Sequence, residues 1–249
     1  MIENENSYMS GASELGESAA NAIDVEFVRE RTEEVFLDYS LLLDEPQTSQ
    51  AYEIAKRLLD ICGAIVGLVL LGLVLPVIAF FIFLEDGGPI FYRHVRIGRY
   101  SQSFVTYKLR SMIVGADDYL RMHPELLQVW RKNGKLEKDP RVTRVGNILR
   151  STSIDELPQM LNVLRGEMSL VGPRAIQLSE VSHFGELIGL RQAVKPGVTG
   201  LWQVSGRSMT SYEQRCILDC IYVMNRSFWM DLRILLKTIL IVILGKGAY

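Results

Sequence analysis

The sequence predicts an α/β, mostly helical membrane protein in three parts: an acidic leader over residues 1–50, an apolar membrane segment with its flanks over 51–87, and a compact domain over 88–249. Three observations predict it. The net charge of -2 is unevenly spread: residues 1–50 hold 12 Asp or Glu against two Arg, whereas the other 199 residues hold 25 basic and 17 acidic groups. Residues 61–84 form a run of 24 without a charge. Behind that run, short β-rich pieces alternate with helical stretches, and the chain is long enough to bury a core there.

The leader is expected to be solvated and poorly ordered. It has no apolar core behind a basic flank, so no signal peptide is expected. The basic remainder suits anionic partners such as phosphates, nucleotides or acidic lipid headgroups. Three cysteines without a Cys-x-x-Cys pair exclude a disulfide scaffold and a structural zinc site. Cys216 and Cys220 are four apart and could share a helix face; all three read as free thiols.

As a straight helix, residues 61–84 would be about 36 Å long, enough to cross a hydrocarbon core of roughly 30 Å. Two features oppose a simple span. Pro76 removes an amide donor past the middle, which predicts a kink or break. Basic residues flank both ends: Lys56 and Arg57 before the run, then Arg93, Arg96, Arg99, Lys108 and Arg110 after it. The positive-inside rule makes both flanks cytoplasmic. A helix that enters, breaks near Pro76 and returns satisfies both facts; a straight span and a helix buried in protein stay open at this point.

Beyond a Gly-Gly-Pro turn, residues 90–94 and 104–107 read as strands around a polar loop. Residues 114–135 read as a helix that restarts near Pro124 and ends at Gly134. Residues 147–150 and 157–164 look helical, "KPGVTGLWQVSGRS" reads as loop, and 212–222 as helix. The apolar end, with Phe228 and Trp229 ahead of "DLRILLK", suits an amphipathic helix in the headgroup zone; a core helix is the alternative.

The candidate chemistry is in "SIDELPQMLNVLRGEMSLVGPR", residues 153–174. Asp155 and Glu156 fall at a helix start. Ser153 with Glu156 could make a capping box, or Asp155 could cap, which would leave Pro158 in the first turn. Either start favours ionised carboxylates at the positive helix end, and on local sequence alone the pair reads as no more than that helix start. Arg141, Arg144, Arg150, Arg165 and Arg174 lie within 20 residues of the pair. "SLVGPR" is a candidate phosphate clamp and "KPGVTG" a candidate phosphate-approaching loop. Arginines around an acidic pair suit an anionic substrate bound through Mg²⁺, and an aspartate can itself attack phosphorus. His94, His123 and His183 have no metal-ligand spacing. Trp202 and Trp229 read as packing or interfacial residues.

The chain resembles the monotopic polyprenyl-phosphate phosphoglycosyl transferases, the bacterial sugar transferases that start exopolysaccharide or O-antigen synthesis. The resemblance runs from about Lys56 to Tyr249 through "KRLLD", the proline-broken apolar segment, "FYRHVRIG", "YKLRSM", "DPRVTRVGNILR", "SIDELPQMLNVLRGEMSLVGPR", "KPGVTGLWQVSGR" and "GAY". It implies a re-entrant membrane helix broken at Pro76 and anchored by Lys56, Arg57 and Asp60. It also implies a compact cytoplasmic catalytic domain on the inner membrane.

By the same resemblance Asp155 is the nucleophile and Glu156 its partner, both also candidates for holding Mg²⁺. Arg110, Arg141 and Arg174 match positions near the phosphates, and Lys195, Gln203 and Arg207 match the donor pocket. The implied partners are a UDP-sugar, with glucose or galactose first, and undecaprenyl phosphate; no nucleic acid is expected, and a homodimer is left open. The rival readings are direct transfer, with Asp155 only binding Mg²⁺, and a catalytically silent membrane scaffold.

Overall fold

A computed structural model describes residues 48–133, 136, 138–205 and 212–244, all within one compact unit, Glu45–Tyr249. The readings for the leader, for Gly134, for Arg207 and for the terminal "GAY" lie outside the described residues.

Helix α1, Gln50–Asp86, is one helix of 37 residues. It starts where the Ser49 side chain accepts a hydrogen bond from the Tyr52 amide, and it stops at Gly87, whose left-handed φ of 66° lets its N–H close onto the Phe83 carbonyl. Asp60, Ala64, Gly67 and Leu71 recur at helical spacing and are buried against the domain. Val66, Val69, Leu73, Val77 and Phe80 on the other side are exposed. The apolar run is therefore two-faced: one stripe grips protein and the wider remainder is bare hydrocarbon.

The break expected at Pro76 is corrected, because Pro76 lies inside the continuous helix. Leu71, Leu75, Ile78 and Ile82 all pack on one cluster with Leu109 and Leu149. That packing runs across the proline and outweighs the single hydrogen bond it removes. Leu71 and Ile82 are buried there, and a fully buried side chain of this kind contributes about 1.5–3 kcal/mol.

Both ends of α1 are tied to the same domain. Near its start, Lys56 Nζ donates to Asp231 Oδ2 at 2.8 Å, and Arg57 donates to the Val163 and Leu164 carbonyls at 2.7 Å each. Asp60 Oδ1 accepts from Ser169 Oγ at 2.9 Å and from the Leu170 amide at 2.8 Å. At its end, Asp86 takes the Arg110 guanidinium, with Nη1 at 3.0 Å.

Strands β1, Phe91–Ile97, and β2, Ser103–Leu109, form an antiparallel hairpin. Both strands run longer than the sequence suggested. Helices α2, Ala116–Met122, and α3, Pro124–Asn133, restart at Pro124 as expected. Helix α4, Arg144–Thr152, is capped by the Thr143 side chain on the Gly146 amide. A 3-10 turn, Ile154–Gln159, then leads directly into α5, Met160–Arg165.

Strand β3, Ser169–Val171, pairs in parallel with β4, Gly197–Thr199. A long 3-10 stretch, Leu178–Leu187, and helix α6, Ile188–Gln192, separate them. The segment expected as loop after Lys195 therefore holds β4 and a short helix α7, Leu201–Val204. Three-residue strands show no alternation, and their pairing partner lies far away in sequence. Helix α8, Tyr212–Asn225, buries Cys216 and Cys220. Helix α9, Phe228–Leu244, buries Asp231 and Ile234 while Trp229, Leu236, Leu240 and Ile243 stay exposed. It is thus packed at one face and apolar at the other.

Candidate active site

Local geometry puts both carboxylates on one short turn. Ser153 takes a left-handed φ of 57° and ends α4 without a side-chain cap bond. The expected capping by Ser153 or by Asp155 is corrected: the two helical pieces abut, which leaves no extended residue to cap. Asp155 and Glu156 still fall in the first turn, and Pro158 is buried in it.

The hairpin supplies the first wall. Its register pairs Tyr92 with Lys108, His94 with Thr106 and Arg96 with Phe104, so these six share one face. Lys108 reaches from that face to Glu156, with Nζ 2.5 Å from Oε1. Arg96, Thr106, Lys108, Glu156, Gln159, Arg174 and Gln203 line one cleft.

Glycines build the second wall. A Cβ on Gly172 would lie 2.6 Å from the Lys195 carbonyl oxygen and 2.8 Å from the Gly197 nitrogen, and a Cβ on Gly197 would run into the Gly172 nitrogen. Only two bare backbones cross so closely. This crossing brings "GPR" and "KPG" together and sets Arg174 beside Gly197, to which it is bridged. The Arg174 guanidinium lies 5.7 Å from the Trp202 ring centroid, and its carbonyl accepts from Arg191. Arg191 is in turn held by buried Asp219, Nε to Oδ2 at 3.0 Å. Gln203 Nε2 donates to the Val198 carbonyl at 3.0 Å, and its buried Oε1 has no partner among the described residues.

The electrostatics separate the pair. Burial raises the pKa of Asp155 to about 6; Lys108 and Arg150 oppose that shift, and Glu156 adds to it. Burial also acts to raise the pKa of Glu156, but Lys108, Arg174 and Arg96 outweigh it and hold the carboxyl below its ordinary value. Glu156 is the clamped carboxylate. Asp155 makes no ion pair among the described residues.

Other expected site residues are elsewhere. Arg110 is spent on Asp86 and the Ile82 carbonyl. Arg141 grips Asp139 through Nε at 2.8 Å and Nη2 at 2.7 Å. Neither lines the cleft. Lys195 faces a second pocket with Arg57 and Asp60. Of the expected binding residues, the structure brings Arg174 and Gln203 into the cleft with Glu156, and Arg207 lies outside the described residues. Sequence reasoning did not assign Lys108 or Arg96 to the site, and it named Arg150 only among the arginines near the pair. The period-2 pattern of β1 and β2 could have put the first two on one face; Arg150, whose Nε donates to Ser111 Oγ at 2.9 Å, had no such signal.

Among the described residues no group of three or more His, Cys, Asp or Glu side chains comes together. A pair of neighbouring carboxylates fits Mg²⁺, which takes one or two carboxylates and fills its other positions with phosphate oxygens and water.

The chain belongs to the bacterial sugar transferase family, whose sequence profile matches residues 51–245. It is 45% identical over 200 residues to a "UDP-galactose-lipid carrier transferase" of Erwinia amylovora, covering 78% of this chain and 41% of that protein. It is 44% identical over 199 residues to "Exopolysaccharide production protein ExoY" of Rhizobium meliloti, 78% of this chain and 88% of that one. A "UDP-glucose:undecaprenyl-phosphate glucose-1-phosphate transferase" of Klebsiella pneumoniae is 38% identical over 202 residues, 78% of this chain and 41% of that protein. The chain thus spans about two fifths of the length of the Erwinia and Klebsiella relatives.

Proposed function

We propose that this chain transfers hexose 1-phosphate from a UDP-sugar, UDP-glucose or UDP-galactose, to undecaprenyl phosphate, on the cytoplasmic face of the bacterial inner membrane. The step would open exopolysaccharide or O-antigen assembly. One observation carries the reading: the cleft sets Glu156, clamped by Lys108, against Arg96 and Arg174, and buried Asp155 precedes Glu156 on the same turn. The names of the relatives, which specify lipid-carrier and undecaprenyl-phosphate sugar transfer, support it.

The chemistry is a double displacement. Asp155 attacks the sugar-bearing phosphorus; the bond from that phosphorus to the bridging oxygen breaks, and UMP leaves with the oxygen. The phosphosugar remains on Asp155 as an acyl phosphate. A phosphate oxygen of undecaprenyl phosphate then attacks the same phosphorus, and the Asp155 carboxylate leaves. The bond between sugar and phosphate is never broken. Lys108, Arg96 and Arg174 hold fixed positive charge against the phosphoryl oxygens in both steps. Mg²⁺ bound by Asp155 and Glu156 would supply further neutralisation of the diphosphate.

A membrane-bound acceptor requires a site at headgroup depth. The ties of Lys56 to Asp231 and of Arg110 to Asp86 hold both ends of α1 on one domain, which supports a monotopic arrangement with no far-side end. The exposed apolar faces of α1 and α9 would lie in lipid.

The test is a donor panel: full-length protein with Mg²⁺, undecaprenyl phosphate and each of several UDP-sugars, with UMP and lipid product measured. One UDP-hexose should release UMP and label the lipid. No turnover with any nucleotide sugar contradicts the proposal.

A further inference from the structure

The chain has a second basic pocket, separate from the cleft of the acidic pair. It lies where the charged start of α1 meets strand β3, Tyr222 of α8 and the residues ahead of β4. Lys195, Arg57, Arg99, Lys56 and Arg226 line it, against Glu53 and Asp60. Gly166 marks where two of these cations converge: a Cβ built on it would lie 3.4 Å from Lys195 Nζ and 3.8 Å from Arg57 Nη2. Gly166 caps α5 with a φ of 81°, so its place in the turn favours glycine and keeps the space open.

Most charges here are already engaged. Arg57 is fixed on the Val163 and Leu164 carbonyls, Arg99 Nε donates to the Ala193 carbonyl at 2.7 Å, and Lys56 pairs with Asp231. Asp60 is turned onto Ser169 and Leu170. Lys195 is different: its ammonium makes no hydrogen bond or ion pair among the described residues. Burial first, then Arg57 and Arg99, push its pKa down, against the pull of Asp60 and Glu53. A half-buried ammonium among other cations is electrostatically unfavourable unless an anion joins them. The two basic pockets lie on either side of one segment, since Val194 and Lys195 face this one while Gly197 and Val198 face the cleft.

We propose that Lys195, Arg57 and Arg99 bind a phosphate group at the base of α1, as a site distinct from the catalytic cleft. Their place at the charged start of the apolar helix puts the pocket at headgroup depth, so the expected source is the phosphate of an anionic lipid. That choice of source rests on the membrane reading of α1. The site itself does not, nor does it depend on sugar transfer.

The experiment titrates the full-length chain in dodecyl maltoside with inorganic phosphate and, separately, with dihexanoyl phosphatidate, by calorimetry. Wild type, Lys195→Gln, Lys195→Arg and Arg174→Gln are compared. Lys195→Gln should weaken binding at least tenfold; Lys195→Arg should restore it, and Arg174→Gln should leave one equivalent bound. Phosphatidate binding tenfold tighter than phosphate assigns the lipid source, and equal binding assigns soluble phosphate to the same site. Unchanged affinity in Lys195→Gln, or loss in Arg174→Gln alone, overturns the proposal. Failure of the donor panel leaves this result untouched, so the two readings fail separately.

Discussion

Lys108 Nζ lies 2.5 Å from Glu156 Oε1, a cross-link from strand β2 to the 3-10 turn that fixes one carboxylate of the pair, while the other has no ion pair among the described residues. It makes Glu156 the ionised holder of the basic wall, beside a buried Asp155 whose proposed role is attack on phosphorus. Lys108→Met should lower kcat roughly tenfold to a thousandfold, on the scale of removing one oriented charge from a transition state. Folding should be retained, because the pair is partly exposed and stabilises the protein little. Normal turnover in Lys108→Met would remove Lys108 from the site.

The crossing of Gly172 and Gly197 predicts an effect of backbone contact alone. Gly172→Ala would drive a methyl into the Lys195 carbonyl and the Gly197 nitrogen. It should cost roughly 1–3 kcal/mol in stability, as overpacking does, with activity lost together with the Arg174 position. Gly189→Ala is the control, since nothing lies within 4 Å of its Cβ. It should leave activity unchanged and stability equal or slightly raised. Equal behaviour of the two variants in thermal unfolding would contradict the account.

Asp231 anchors the start of α1. It is fully buried and accepts from Lys56 Nζ at 2.8 Å, Tyr52 Oη at 3.0 Å and Tyr222 Oη at 2.7 Å. Asp231→Ala leaves a cation and two hydroxyls without their acceptor and should destabilise by about 3–5 kcal/mol. Lys56→Met combined with Asp231→Leu should cost much less, because the charge leaves with its partner. A double variant as unstable as the single one would show that the network is not what holds the helix.

The cysteines give a pH-dependent prediction. Burial, with Asp219 nearby, pushes the thiols of Cys216 and Cys220 up to about 12. A raised thiol pKa keeps the unreactive protonated form, so moving from pH 7 to pH 9 gains almost no thiolate. N-ethylmaleimide should label Cys216 and Cys220 only after denaturation. Labelling of Cys216 at pH 8 in folded protein would contradict this burial.

Local pattern made the hairpin, the Pro124 restart, the long apolar helix and the helical start at Asp155 legible in the sequence. Long-range partners hid the rest. Arg110 and Arg141 stand among the motifs like phosphate ligands, yet Asp86 and Asp139 take them, and no spacing rule announces such pairing. Pro76 signalled a break, but packing on Leu109 and Leu149 carries the helix through it. Strands β3 and β4 are too short to show a period, so the approach of "GPR" to "KPG" had only its glycines as a sign. Lys195, in the same motif as Gly197, lines the other pocket, which the motif alone did not announce.

The central claim is that Asp155 carries the phosphosugar. Full-length protein is mixed with Mg²⁺ and the active UDP-hexose, without lipid acceptor, quenched rapidly, and measured by intact-mass and peptide mass spectrometry. The account predicts a mass gain of one hexose phosphate, located on the peptide of Asp155, absent in Asp155→Asn and discharged by undecaprenyl phosphate. Steady turnover with lipid present, but no adduct at any quench time, would contradict it and favour direct transfer.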